Sequence, residues 1–339
     1  MVKQIDVTNG SRVYVGSVEQ LFKELLPEKR IIVISDSNID RTHHDLIAPY
    51  EHILIGQGEQ AKSLATTDEI YRKLIDMGAD RSTFILGIGG GIVTDVAGFV
   101  ASTYMRGVEF GFVTTTLLGS VDASVGGKNG VNVGGFKNMV GTFSQPRFVI
   151  CDVALLHTLS DREFRAGLAE VIKTAILGDR ELFELLENSS FEELRKDEKL
   201  LDEVITRSVK VKAAVVAEDE REGGRRRILN LGHTIAHAIE KCSAKLSHGE
   251  AVAMGLRHIT NSALSQNLIN KESAERIFAV LNKYGFDTTL PVERRQLLDA
   301  IKGDKKRSGD SLHIIFPTAI NAVEDRVVLF EALGDILTL

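Results

Sequence analysis

Short β-branched runs alternate with helical patterns through the first half of the chain, and this alternation limits the fold more than any other feature. Strand candidates lie at residues 30–35, 52–55, 83–86 and 108–114, and helix candidates at residues 63–77 and 92–105. In the first helix candidate, Leu64, Ile70, Leu74 and Ile75 can share one face. Strands that alternate with helices favour a parallel sheet with both faces covered. We therefore predict an α/β domain in the first half.

A glycine cluster, Gly87-Ile88-Gly89-Gly90-Gly91, joins a predicted strand to a predicted helix. Glycines let the backbone approach a pyrophosphate, and a helix N-terminus offers free N–H groups. Close helix–strand packing at a tight turn explains the cluster equally well, because Ile92 replaces the last glycine of the dinucleotide pattern. Asp36 and Asn38 follow an earlier strand, where they would hold a ribose or form an ordinary turn.

Helical patterns dominate from about residue 161 onward. The predicted helices span residues 164–177, 180–186, 191–215, 228–241, 249–266 and 272–284, and a strand candidate returns at residues 313–316. The change of pattern puts a boundary at about residues 155–160. We predict two domains, an α/β domain at 1–158 and a mostly helical domain at 159–339.

Composition restricts the class of protein. The chain has 339 residues, of which 43% are apolar and 26% charged, as is typical of globular proteins, and its formal net charge is −6. An acidic chain is a poor match for a nucleic-acid backbone. The sequence has no apolar run long enough to span a bilayer. Its first residues lack the pattern of a signal peptide. Its two cysteines, Cys151 and Cys242, favour a reducing compartment, so we expect a cytoplasmic protein.

Residues 114–146 combine many glycines with Asp122, Lys128, Lys137 and Asn138. The Gly-Gly-Lys at 126–128 is not a nucleotide-binding P-loop, because Asp122 stands at the first glycine position and Asn129 replaces the Ser or Thr. A glycine-rich segment of this length loses much backbone entropy on folding. We favour a loop that wraps a ligand and uses lysines for anionic groups, over an irregular structural loop.

The second half carries a group of candidate metal ligands, Glu170, His233, His237 and His248. His233 and His237 are four residues apart, so a helix places them on one face. One carboxylate with two imidazoles makes an open site for a divalent ion. Spacing leaves open which of the three histidines are ligands. The other histidines are interpreted as ordinary core or surface residues.

Basic residues lie in or beside the same segments. They are Lys128, Lys137, Lys173, Lys212, Arg226, Lys305 and Lys306. Such residues usually form a solvated surface. If they converged, they would suit a small substrate that carries both phosphate and carboxylate.

These segments resemble the 3-dehydroquinate synthase family, in family order over the chain after residue 30. The matching stretches are residues 56–63, 89–95, 105–107, 114–146, 167–173, 219–240, 248–252 and 304–306. The resemblance implies a Rossmann-like α/β nucleotide-binding domain, a mostly helical metal-binding domain, an active site between them, and a homodimer.

The resemblance also implies roles for individual residues. Glu170, His233 and His248 become the ligands of Zn2+, with Co2+ or iron as alternatives, and His237 becomes a polar residue near the substrate phosphate. The implied substrate contacts are Asp122, Lys128, Asn138, Lys173, Lys212, Arg226, Asn230 and Lys306, with Arg106 supplied by the dimer partner. The implied NAD contacts are Asp36, Asn38, Glu59, Lys62, Gly89, Gly90, Gly91, Asp95, Thr115, Thr116, Lys137 and Thr158.

The implied reaction converts 3-deoxy-arabino-heptulosonate 7-phosphate into 3-dehydroquinate and phosphate, in the shikimate pathway of aromatic amino acid and chorismate biosynthesis. A ring hydroxyl is oxidised by NAD, phosphate is eliminated, the hydride returns, and an aldol closure forms the carbocycle. NAD is regenerated, so the enzyme would be a lyase. Three alternatives are another sugar-phosphate cyclase such as a 2-deoxy-scyllo-inosose synthase, a metal-dependent polyol dehydrogenase, and an inactive cofactor-binding regulator.

The sequence departs from the family pattern at three places. Asn129 stands where Thr is common, and Val133-Gly134 replaces the usual His-Pro. Residues 311–317 stand where the family usually has an apolar strand that includes a basic residue. None of these changes removes a chemical group assigned above.

Overall fold

The structure, a computed structural model, describes residues 2–243, 245–303 and 310–339. Its strands are β1 (Lys3–Asp6), β2 (Arg12–Val15), β3 (Ile31–Asp36), β4 (Glu51–Ile55), β5 (Phe84–Gly89), β6 (Phe110–Thr114), β7 (Lys128–Val133), β8 (Phe136–Phe143), β9 (Phe148–Cys151), β10 (Ser311–Ala319) and β11 (Ala322–Leu329). Its helices are α1 (Val18–Leu25), α2 (Ser37–Thr42), α3 (His44–Ile47), α4 (Leu64–Asp76), α5 (Gly91–Thr103), α6 (Asp161–Gly178), α7 (Arg180–Asn188), α8 (Phe191–Lys196), α9 (Glu198–Glu218), α10 (His233–Cys242), α11 (His248–Ser265), α12 (Lys271–Lys283), α13 (Arg294–Lys302) and α14 (Leu333–Ile336).

The chain forms two compact units. The first comprises Met1–Phe164 and Leu201–Glu220, and the second comprises Arg165–Leu200 and Arg221–Leu339. Most of α9 thus belongs to the first unit, although it follows helices of the second along the chain.

A seven-stranded sheet organises the first unit, in the order β1-β2-β9-β6-β5-β3-β4. β1 is antiparallel to β2, and the other neighbouring pairs are parallel. The chain runs from β3 outward to β4, returns to β5, and then continues on the other side to β6. This reversal puts the carboxyl ends of β3 and β5 beside each other, which is where open α/β sheets bind ligands.

The core of this sheet consists of aliphatic and aromatic side chains at consecutive strand positions. Ile32, Val33 and Ile34 of β3 are all buried, as are Ile85 and Leu86 of β5. Strands covered on both faces need apolar residues at nearly every position, and the runs that predicted these strands have that composition.

The second unit is mostly helical, with one hairpin of β10 and β11. Ile314, Ile315 and Phe316 of β10 are buried, and β10 contacts α11. None of the helices in the described ranges combines the length and the apolar character that crossing a bilayer requires.

The alternating elements of the first half agree with prediction to within about three residues. β3, β4, β5, β6, α4 and α5 all lie where the pattern placed them. Ser63 begins α4 because its side chain accepts a hydrogen bond from the backbone N–H of Thr66 at 3.2 Å.

Two helix predictions in the second half were wrong in extent. The predicted helix 191–215 is interrupted at Asp197, whose carboxylate accepts from the N–H groups of Lys199 and Leu200 and so starts α9. The predicted helix 228–241 begins only at His233, because Gly232 is left-handed at φ 76° and Arg225–Asn230 forms a 3-10 helix.

The predicted glycine-rich loop was also wrong in part. β7 and β8 form an antiparallel hairpin within it, turning at Gly134 and Gly135, whose φ angles are 58° and 80°. Two adjacent residues with positive φ are the geometry of a tight hairpin turn, which glycine adopts without strain.

Candidate metal and cofactor sites

Two helices of the second unit begin at a histidine. His233 is the first residue of α10, directly after the left-handed Gly232. His248 is the first residue of α11, after Ser247, whose side chain accepts from the N–H of Glu250 while the Glu250 carboxylate accepts from the N–H of Ser247. This reciprocal cap fixes the point at which α11 begins, and therefore the direction of the His248 side chain.

Glycines bring α10 and α11 close together behind these histidines. A Cβ atom on Gly255 would lie 2.1 Å from the carbonyl oxygen of Gly232, so the backbones approach more closely than any side chain allows. The two histidine rings consequently lie with their centroids 5.4 Å apart.

Glu170 of α6 supplies a carboxylate between the two imidazoles. Its Oε1 lies 3.0 Å from His248 Nε2 and 3.5 Å from His233 Nε2. One potential ligand atom from each of the three residues lies within 4.8 Å of the other two. His237 does not belong to this group, although its ring centroid is 5.5 Å from that of His233. The geometry thus distinguishes among histidines that spacing left equivalent.

The electrostatics of this cluster favour a cation. Glu170 is fully buried and pairs with Lys173, one helical turn along α6, at 2.5 Å from its Oε2. Burial works against its ionisation, yet Lys173 and His233 hold the pKa of Glu170 well below its usual value. Burial also lowers the pKa of His248, but hydrogen bonds to Glu170 and Glu240 outweigh it and raise that pKa to about 10. Two carboxylates thus stabilise positive charge at this point, and the donor set of two nitrogens and one oxygen suits a divalent ion.

Two further substrate residues predicted in this unit, Arg226 and Asn230, lie in the 3-10 helix that precedes α10. Arg226 is 2% exposed. The amide of Asn230 donates to Glu222 Oε1 at 2.8 Å. Lys305 and Lys306 lie outside the described residues.

In the first unit, Lys212 of α9 contacts Asp122. Its ammonium group donates to the carbonyl oxygen of Asp122 at 2.6 Å and to its carboxylate at 2.7 Å. Lys128 begins β7 and is exposed, whereas Asn138 on β8 has φ 54°.

The glycine turn after β5 is shaped by close packing. A Cβ on Gly89 would lie 2.5 Å from Val93, and one on Gly90 would lie 2.8 Å from Thr116. Gly91 then begins α5. The turn therefore has a packing requirement for glycine, and it also presents the N-terminus of a thirteen-residue helix at the carboxyl end of β5.

Asp36 and Asn38 lie at the carboxyl end of β3, beside that turn in the sheet order. Asp36 accepts from the N–H groups of Asn38 and Ile39 at 2.8 and 3.0 Å, and so caps α2. The Asn38 side-chain oxygen accepts from Arg41 at 2.7 Å. Both side chains therefore make local hydrogen bonds around the start of α2.

The remaining NAD-site predictions fall in the first unit. Lys62 and Asp95 form a largely buried ion pair. Glu59 accepts from Asn132 at 2.7 Å, and Asn132 Oδ1 accepts from the N–H of Asn138 at 2.9 Å. The backbone N–H of Thr115 donates to Gly89 at 3.0 Å, Thr158 contacts His43 at 3.0 Å, and Lys137 is exposed on β8.

Arg106 lies in a strained segment. Met105 and Arg106 have φ angles of 50° and 70°, and Met105 is exposed although apolar. Non-glycine residues with positive φ are uncommon and mark positions where the backbone is held for a reason.

Sequence reasoning missed three polar residues that contact predicted site residues. Glu222 accepts from Asn230, Asn132 connects Glu59 to Asn138, and Glu240 lies 3.4 Å from His248 Nδ1. Glu240 follows His233 by seven residues, a two-turn spacing that carries the available signal. The other two contacts depend on chain reversals that no local pattern reveals.

Two family models together match residues 52–307 of the chain. The model described as 3-dehydroquinate synthase N-terminal matches residues 52–166, and the one described as 3-dehydroquinate synthase C-terminal matches residues 167–307.

Individual relatives and solved structures agree with these matches. A 3-dehydroquinate synthase of Pyrococcus abyssi (strain GE5 / Orsay) is 40% identical, covering 95% of this chain and 97% of its own. A 2-deoxy-scyllo-inosose synthase solved with carbaglucose-6-phosphate, NAD+ and Co2+ has a TM-score of 0.88 at 26% identity and covers 99% of both chains. A 2-epi-5-epi-valiolone synthase from Streptomyces hygroscopicus subsp. jinggangensis 5008, solved with NAD+ and Zn2+, has a TM-score of 0.87 at 25% identity and covers 99% of this chain and 97% of its own.

The fold is accordingly dehydroquinate synthase-like, with a Rossmann-like parallel sheet toward the N-terminus and a mostly helical C-terminal part. On the family models that match residues 52–307 and the 40% identity to a relative over nearly the whole length, the chain belongs to the 3-dehydroquinate synthase family.

Proposed function

We infer that the chain catalyses the reaction of its family, the conversion of 3-deoxy-arabino-heptulosonate 7-phosphate into 3-dehydroquinate and inorganic phosphate. The observation that carries this inference is the cluster of Glu170, His233 and His248 in a chain 40% identical to a curated 3-dehydroquinate synthase. The net reaction is a carbon–oxygen lyase reaction of the shikimate pathway.

Glu170, His233 and His248 are proposed to hold one divalent cation, zinc by preference with cobalt or iron as alternatives. A buried carboxylate and two imidazoles offer three ligand atoms within 4.8 Å of one another, which suits one such ion. When bound, the ion would polarise the oxygen at the carbon that is oxidised. Lys173 favours the ionised form of the buried Glu170, because its ammonium group offsets the cost of burying the carboxylate.

The cationic residues are proposed to bind the phosphate and carboxylate of the substrate. Arg226 suits a planar bidentate contact, whereas Lys128, Lys173 and Lys212 act as compact charges. The remaining proposed substrate contacts are Asp122, Asn138, Asn230, His237 and Lys306. Fixed charges of this kind stabilise developing negative charge as phosphate leaves.

NAD is proposed to bind at the carboxyl ends of β3 and β5, where the glycine turn begins α5. NAD when bound would take a hydride from the substrate and later return it. The proposed contacts are Asp36, Asn38, Glu59, Lys62, Gly89, Gly90, Gly91, Asp95, Thr115, Thr116, Lys137 and Thr158. Two structural neighbours were solved with NAD+, which supports the assignment.

We also propose a homodimer in which Arg106 serves the substrate of the partner subunit. Two features of this segment support the proposal: the positive φ angles of Met105 and Arg106, and the exposed apolar side chain of Met105. Both suit a contact with another subunit.

The test is phosphate release from 3-deoxy-arabino-heptulosonate 7-phosphate with NAD in substoichiometric amount, with and without a chelator. We expect phosphate in excess over NAD, no net NADH, and loss of activity with the chelator. Phosphate release from glucose 6-phosphate instead would indicate an inosose synthase, the second candidate because of the structural likeness to a solved 2-deoxy-scyllo-inosose synthase. Steady NADH accumulation from a polyol would indicate a dehydrogenase.

A further inference from the structure

We propose that Glu240 is a positioning residue for His248, accepting a hydrogen bond from His248 Nδ1–H so that Nε2 is presented to a divalent cation bound with Glu170 and His233. The inference rests on the proposed metal site and adds a residue to it. It concerns metal affinity and not a direct contact with substrate.

The first observation is the position of the two carboxylates on either side of the His248 ring. Glu170 Oε1 lies 3.0 Å from Nε2, and Glu240 Oε1 lies 3.4 Å from Nδ1. The two ring nitrogens point in different directions, so one carboxylate can share the ion while the other holds the ring. A histidine ligand commonly donates its second N–H in this way, which fixes the tautomer and makes the ligand nitrogen more basic.

The second observation is burial. The Glu240 side chain is only 5% exposed. An ionised carboxylate at such a depth requires a donor or a positive charge, because the loss of hydration is expensive. The His248 imidazole supplies a donor, and a cation on the far side of the ring would strengthen it.

The third observation is the position of Glu240 on α10. Its first residue is His233, and Glu240 lies seven residues later on the same face. The same helix therefore carries one ligand and the residue that orients the other. His233 is oriented differently, since its Nδ1 lies 3.1 Å from the carbonyl oxygen of Leu231, a backbone group that substitution does not remove.

The experiment compares Glu240→Gln and Glu240→Ala with a matched control, Glu187→Gln. Glu187 is a partly buried carboxylate of the same unit and pairs with Arg276. Glu187→Gln therefore removes a partly buried negative charge that does not contact the histidines. Zn2+ affinity is measured by competition with a chromophoric chelator, the visible spectrum of bound Co2+ reports ligand geometry, and thermal unfolding of the metal-free protein reports folding.

We expect Glu240→Ala to weaken Zn2+ binding by roughly 10- to 100-fold, as is usual for partners of metal ligands, and to change the Co2+ spectrum. Glu240→Gln retains an oxygen acceptor without the charge, so its loss should be smaller, and Glu187→Gln should bind Zn2+ as the unsubstituted chain does. If Glu240→Gln and Glu240→Ala both fold and both bind Zn2+ as tightly as the unsubstituted chain, the inference is overturned. If Glu240→Ala does not fold, an unchanged affinity and Co2+ spectrum in Glu240→Gln would overturn it as well. Failure of the unsubstituted chain to bind either ion would instead refute the proposed metal site.

Discussion

A Cβ atom on Gly249 would lie 2.2 Å from the carbonyl oxygen of Ala166. Gly249 follows His248 at the start of α11, and Ala166 lies one turn before Glu170 in α6. The absence of a side chain at this one position lets the two helices approach, and the approach places the imidazole beside the carboxylate.

We predict that Gly249→Ala damages the metal site as well as the fold. Forcing a methyl group against a backbone carbonyl requires the helices to separate, at a cost of about 1–3 kcal/mol or more in the free energy of unfolding. Separation also lengthens the distance between His248 and Glu170, so Zn2+ affinity should fall. Thermal unfolding and chelator competition measure the two effects. The control is Gly334→Ala, where a Cβ would meet nothing within 4 Å; equal behaviour of the two variants would contradict the packing argument.

We predict that His248→Ala removes metal binding and turnover, because two remaining ligands hold a divalent ion poorly. The loss of Zn2+ affinity should exceed the roughly 100-fold upper limit typical of residues that only orient a ligand. Metal content after dialysis and phosphate release in metal-replete buffer provide the measurements. His52→Ala is the control, since His52 is exposed and its Nδ1 lies 3.0 Å from the carbonyl of Tyr50. Near-normal turnover of His248→Ala would refute the ligand assignment.

The predictability of the fold depended on how local its determinants are. β3, β5 and β6 were recognisable because buried parallel strands are continuous apolar runs. β1 and β2 have only four residues each, and β2 pairs with β9, with Val15 opposite Cys151. No local pattern reports a pairing over that distance. The β7–β8 hairpin was missed although Gly134-Gly135 is a recognised turn signal.

The candidate site was predictable in its residue types and not in its geometry. Spacing proposed three histidines, and the family resemblance selected His233 and His248. His237 lies outside the group of three ligand atoms, although it is one turn along α10 from His233. Glu240 was missed because its contact with His248 requires the turn from α10 to α11.

We predict that Arg226→Ala lowers kcat/KM by roughly 100- to 1,000-fold while leaving NAD affinity within about threefold, because a charge that stabilises the leaving phosphate acts on turnover. Steady-state kinetics and NAD titration separate the two quantities. Arg72→Ala is a suitable control, since Arg72 is exposed and pairs only at the surface with Asp68 in α4. Equal losses of NAD binding and turnover in Arg226→Ala would argue for a structural role.

We predict that the two cysteines react very differently in the folded protein. Cys151 is fully buried at the end of β9, and burial raises the pKa of its thiol to about 11, despite a hydrogen bond from Thr114 at 3.4 Å. Cys242, at the end of α10, is only partly buried. The thiolate is the reactive form, and a group whose pKa is raised ionises only as the pH approaches that higher value.

Iodoacetamide at pH 8 should therefore modify Cys242 first, with Cys151 modified at the same rate only after denaturation. Peptide mapping by mass spectrometry measures both rates, and fast native labelling of Cys151 would mean that β9 opens to solvent more readily than its place in the middle of the sheet allows.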